Sequence, residues 1–159
     1  RESHMKNFVD ELLQNSVLIV SIFAWLIAQT SKVIITLFLN RRLDIKRFVG
    51  SGGMPSSHSA FVVSMATSIG QVYGYNSSMF ALSTVFALVV MYDAAGVRRA
   101  AGRQAAVLNE IIDMLQAKKG VSEKKLKELI GHTPVEVIVG ALLGIIISRV
   151  LLGKFHKLQ

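Results

Sequence analysis

No cysteine occurs among the 159 residues, which excludes a disulfide framework, a thiolate metal site and a cysteine nucleophile. Charge is also scarce: 18% of residues are charged, against about 25% in an ordinary soluble domain. In its place the chain is 52% hydrophobic with a mean hydropathy of +0.48. That composition excludes disorder, coiled coils and fibrous repeats and points to a membrane. No internal repeat or low-complexity tract is present. Acidic residues number 10 against 18 basic ones, a formal net charge of +8. The basic residues lie between apolar segments rather than on a polar face with interleaved aromatics. This argues against a nucleic-acid partner and for membrane topology with anion binding.

The length suits one domain. Arg1-Glu2-Ser3-His4 precede a methionine and read as the remnant of a cleaved tag, which leaves 5–159 as a single membrane-embedded unit and removes His4 as a ligand candidate. Val17 to Leu39 is a long apolar stretch interrupted only by Gln29, Thr30, Ser31 and Lys32. At about 1.5 Å per residue it crosses a hydrocarbon core of about 30 Å, and it is too long and too late for a signal peptide. A basic loop follows (Arg41, Arg42, Lys46, Arg47), then Gly50-Ser51-Gly52-Gly53. A small-residue-rich apolar helix is expected from Ser56 to about Tyr73, with Ser56 and Ser57 as candidate N-caps. After a short uncharged turn, Met79 to Tyr92 forms a third apolar run ending near Ala95.

Beyond Ala95 the composition changes to basic amphipathic segments, with Val107, Ile111, Ile112 and Leu115, then Leu126, Leu129 and Ile130, at helical spacing and a break near Gly120. Pro134 opens a fourth apolar segment, Val135 to Leu152, at a position where the first helical turn tolerates proline. The expected fold is an all-α integral membrane bundle of about four transmembrane helices, with a cytoplasmic amphipathic insertion over 99–131. With four spans, the loops at 40–57 and 95–133 share one side and hold twelve Lys and Arg, while the other side has Lys6, Lys154 and Lys157. The positive-inside rule places both loops in the cytoplasm.

Four groups of residues carry candidate chemistry. In Gly52-Gly53-Met54-Pro55-Ser56-Ser57-His58-Ser59 the glycines permit close backbone approach, and the amides of a new helix point at an anion beside His58. The alternative is a capped membrane helix with a chance histidine, although ionisable groups in such helices are usually functional. His132 and Glu136 stand four apart, on one helix face, so the carboxylate can orient one ring nitrogen and leave the other as a nucleophile. The alternatives are an ordinary helix start, or half of a zinc site that needs a third ligand. Arg98 and Arg99, among small residues near Asp93, suit phosphate oxygens or a positive-inside anchor, and the anchor is the better reading for Arg103. Lys32, seven residues before the end of the first span, either snorkels or faces inward as an anion ligand. The topology brings all four groups to one membrane face.

These residues resemble the type 2 phosphatidic acid phosphatase superfamily, which also contains the vanadium haloperoxidases, and more closely its divergent, compact bacterial YuiD-like branch. The superfamily's Pro-Ser-Gly-His motif stands here as Pro55-Ser56-Ser57-His58. The half-motif of His, three residues and Asp stands as His132 to Glu136, with Val137 and Gly140 following. Arg98 and Gly102 fit the arginine half, about thirty residues earlier, and Lys32 with Arg41 or Arg42 stands for a first motif that lacks its proline. GGMPSSHSA and DAAGVRR are the specific blocks of the compact branch.

The resemblance implies a membrane phosphatase of a lipid phosphate or pyrophosphate, needing no metal or other cofactor, in the bacterial cytoplasmic membrane. By it His132 is the nucleophile that forms a phosphohistidine, Glu136 its orienting partner and His58 the general acid. Lys32, Arg41, Arg42, Ser56, Ser57, Arg98 and Arg99 are the candidate phosphate ligands. The small number of spans suggests a homodimer. Two other functions fit the same pocket: non-catalytic binding of anionic lipid heads or phosphate, and vanadate-dependent oxidation.

Overall fold

The computed structural model describes residues 2–40, 53–119 and 131–155. Among them there are only helices and turns: α1 (Glu2–Gln14), α2 (Ser16–Asn40), α3 (Ser57–Tyr73), α4 (Ser78–Tyr92), a π-helical turn (Asp93–Val97), α5 (Arg98–Lys119) and α6 (Pro134–Phe155). The helix starts follow from capping chemistry. Asn15 Oδ1 accepts from Leu18 N at 3.0 Å at the head of α2. Ser56 Oγ accepts from Ser59 N in α3, and Ser77 Oγ accepts from Phe80 N in α4.

Among the described residues three helices are long and apolar enough to cross a membrane: Ser16–Phe38, Ser78–Met114 and Pro134–Lys154. The second expected span, α3, is shorter, with 17 residues. It packs against α2, α4 and α6, while α2 also meets α6, so α3 is the centre of the bundle. The polarity of the packing is inverted relative to a soluble protein. The buried positions of α3 include Ser57, Ser59, Ala60, Ser64, Ala66, Ser68 and Gly70, whereas α4 exposes Leu82, Val85, Phe86, Leu88 and Val89. An apolar outer surface of this extent is stable against lipid and a liability in water.

Small residues also set the closest helix contact. Gly140, Gly144 and Ser148 of α6 recur every fourth residue and face the start and middle of α3, an arrangement that lets two backbones approach in the absence of a hydrophobic driving force. A methyl on Gly140 would overlap the Ser56 carbonyl oxygen, and one on Gly144 would lie 2.5 Å from the Ala60 oxygen. Further along, Ser148 Oγ pairs with Ser68 Oγ at 2.8 Å and accepts from Gln71 Nε2 at 2.8 Å. Gly140→Ala is therefore expected to lower the unfolding temperature of the purified protein, by an overpacking cost of about 1–3 kcal/mol. Gly153→Ala, which meets nothing within 4 Å among the described residues, should leave it unchanged or raise it through better helix propensity, worth up to about 1 kcal/mol.

The third apolar run passes at its end from α4 through the π-turn into α5 without leaving helical structure. Gly96 and Gly102 lower helix propensity without ending a helix, and no proline stands there to break it. The expected break near Gly120 and the apolar positions Leu126, Leu129 and Ile130 lie outside the described residues.

Candidate active site

Three helix ends meet at one end of the bundle. The α6 end is built by Thr133 and Glu136. Glu136 N donates to Thr133 Oγ1 at 3.3 Å, and Thr133 N donates to Glu136 Oε2 at 3.0 Å, a reciprocal capping box with Pro134 at the first helical position. The same Oε2 lies 3.1 Å from His132 Nδ1. An ionised carboxylate only accepts, so Nδ1 carries the ring proton and Nε2 keeps its lone pair. His132 is 2% exposed, and its Nε2 is buried with no hydrogen-bond partner among the described residues.

Backbone bonds lock this histidine between the other two elements. His132 N donates to Ala94 O, in the π-turn, at 3.1 Å, and Ser56 N donates to Glu136 O at 3.0 Å. Gly131 is pressed so closely against the backbone of Arg99 that a side chain there would overlap it. On α3, His58 follows the cap by two residues, and its ring stands edge-on to that of His132 with centroids 6.5 Å apart. From α2, Lys32 enters fully buried, 2% exposed, and its Nζ donates to Ser57 Oγ at 3.0 Å. Lys32 thus faces inward and does not snorkel. Arg98 Nε pairs with Asp93 Oδ2 at 2.7 Å on the half-exposed rim.

Burial pushes the His132 imidazole below the ordinary histidine value, the hydrogen bond and charge of Glu136 oppose this, and the nearby Lys32 and Arg98 charges reinforce it. The ring is therefore neutral at pH 7. A neutral, oriented imidazole with an open nitrogen, next to a second imidazole and a buried ammonium, is suited to attack on an electrophilic anion. Among the described residues no group of three His, Asp or Glu forms a set that could hold a metal.

Comparison with known proteins shows the family. The family described as Divergent PAP2 family matches residues 13–147, which takes in every element that builds the site. The chain belongs to the divergent PAP2 family. It is 43% identical over 152 residues to the uncharacterized membrane protein YuiD of Bacillus subtilis (strain 168), covering 89% of this chain and 96% of that protein. No solved structure matches. The chain is thus a PAP2-like membrane protein.

Within this divergent PAP2 protein, His58, His132, Glu136, Lys32 and Ser57 converge on one site, with Arg98 at its rim. Ser56 is committed to the fold as a cap, its Oγ accepting from Ser59 N and Ser59 Oγ. Arg99 meets the site through its backbone, with its side chain exposed. Arg41 and Arg42 lie outside the described residues. Sequence reasoning missed two contributors. Thr133 had a legible signal, since Thr-x-x-Glu before an apolar run is a capping box. The π-turn that supplies the Ala94 carbonyl had none.

Proposed function

We propose that the protein is a metal-independent phosphatase of a lipid phosphate or pyrophosphate, working through a phosphohistidine. Nε2 of His132 attacks phosphorus, the bond from phosphorus to the leaving oxygen breaks, and His58 delivers a proton to that oxygen. Water, deprotonated by His58, then attacks the phosphoryl group on His132, which releases phosphate and restores the free imidazole. Glu136 holds the tautomer and stabilises the positive charge that develops on the ring. Lys32 offsets the charge on the phosphoryl oxygens from a buried position screened from water, where such contacts are strongest, and Arg98 adds to it from the half-exposed rim. The head is drawn to the membrane face by the basic loops, which the charge distribution assigns to the cytoplasmic side.

The observation that supports this reading is the buried Nε2 of His132, without a partner among the described residues, beside a second imidazole. A buried polar atom without a partner costs free energy that folding alone does not repay, and a waiting nucleophile accounts for it. The test is phosphate release from a panel of lipid phosphates and pyrophosphates by purified protein across pH. Turnover is expected, with the acid limb of kcat/KM falling below pH about 6.5, the ordinary histidine value, because His132 must be neutral to attack and its pKa is depressed. Glu136→Gln keeps the cap but removes the effect that raises this pKa, so the limb should move to still lower pH. A limb above the ordinary value, or one that moves upward in Glu136→Gln, contradicts the assigned base form. Saturable phosphate binding without turnover contradicts the enzyme.

A further inference from the structure

A pocket of about 430 Å³ opens between α2 and α3, lined by Ile22, Trp25, Phe61, Val62 and His58. Apart from His58 its walls are apolar. The two helices run antiparallel here, because Lys32 meets Ser57 at one level while Trp25 and Ile22, earlier in α2, share the pocket with Phe61 and Val62, later in α3. The pocket therefore starts at the catalytic imidazole and runs away from the anion site. At 1.5 Å per residue, Ile22 lies about 15 Å along the helix from Lys32, which is about half the thickness of a hydrocarbon core.

We propose that this groove seats one hydrocarbon chain of the lipid whose phosphate occupies the Lys32–His58–His132 site. The assignment rests on the phosphatase reading and adds to it the place where the tail is recognised. The volume of about 430 Å³ lies within the range of about 300–1,000 Å³ found for small-ligand sites. His58 belongs to both the groove and the anion site, so a chain covalently attached to the bound phosphate fills the groove, whereas an untethered chain from bulk lipid gains nothing from Lys32. The groove and the anion site together recognise a molecule that is anionic at one end and aliphatic at the other.

Trp25 is the sole tryptophan of the chain and lines the groove, which provides a readout independent of turnover. Protein in detergent is titrated with a chain-brominated alkyl phosphate and, separately, with the same brominated chain bearing a neutral hydroxyl head. Saturable quenching of Trp25 by the phosphate, reversed by inorganic vanadate, and quenching at least about tenfold weaker by the neutral compound are expected. Equal quenching by both compounds, or quenching that vanadate leaves unchanged, overturns the groove assignment. A second arm uses Ile22→Phe, which narrows the groove from its exposed wall, with Leu82→Phe on the outer face of α4 as a control. Ile22→Phe should raise KM for a long-chain lipid phosphate about tenfold, the scale of a small volume change in an apolar pocket, and leave p-nitrophenyl phosphate turnover unchanged. Equal losses on both substrates, or no change on either, count against the groove. Absence of phosphate release from every substrate by the parent protein defeats the phosphatase reading, while the quenching titration still decides the groove.

Discussion

On the proposed mechanism, His132→Ala is expected to abolish phosphate release, with a loss of about four orders of magnitude or more, because the substitution takes away the atom proposed to form the covalent bond. Nucleophile deletions in covalent hydrolases reach this scale or exceed it. The expected loss at His58 is smaller, about 10²–10⁴-fold, the range of general acid–base catalysis. It also depends on the substrate: p-nitrophenyl phosphate has a leaving group that needs no proton, so His58→Ala should still transfer the phosphoryl group and then hydrolyse the intermediate slowly. Labelled phosphoryl-enzyme is therefore expected to accumulate in His58→Ala and to be absent from His132→Ala. Phosphoryl-enzyme in the His132→Ala protein, or phosphate release at the parental rate, would place the nucleophile elsewhere. The fold is expected to survive the substitution, because the bond from His132 to Ala94 uses the backbone N–H and the capping box uses Thr133 and Glu136.

Lys32→Met should separate binding from stability in opposite directions. An ammonium inside the bundle costs about 2.5–3.5 kcal/mol on insertion scales, and its one described hydrogen bond, to Ser57 Oγ, returns about 1.5–3 kcal/mol. Methionine has similar length and carries no charge, and replacing buried charges by apolar groups of similar volume is often neutral or stabilising. The unfolding temperature should therefore hold or rise, while the inhibition constant of vanadate weakens by about 10²-fold or more from loss of a desolvated cation at the anion site. A structural lysine would give the reverse pattern: a lower unfolding temperature and unchanged vanadate inhibition. Thermal unfolding and vanadate titration on the same preparation distinguish the two.

Much of this architecture is local and was legible in the chain. The apolar lengths of α2, α4 and α6, the serine cap of α3, Pro134 at the start of α6 and the four-residue spacing of His132 and Glu136 each follow from interactions within one or two turns. Such interactions depend on composition and spacing alone. The tertiary structure decided the rest. Hydropathy marks Ser57–Tyr73 as another apolar segment, and only packing shows it to be the centre of the bundle, because small residues permit close approach wherever a partner happens to lie. Composition marks a change near Ala95, and only the structure shows that a π-turn there carries the helix onward and presents a carbonyl to His132. The free nitrogen of His132, the inward course of Lys32 and the meeting of two imidazoles depend on groups remote in sequence. The cost of burying a charge or leaving a lone pair unpaired is set by what surrounds it in space.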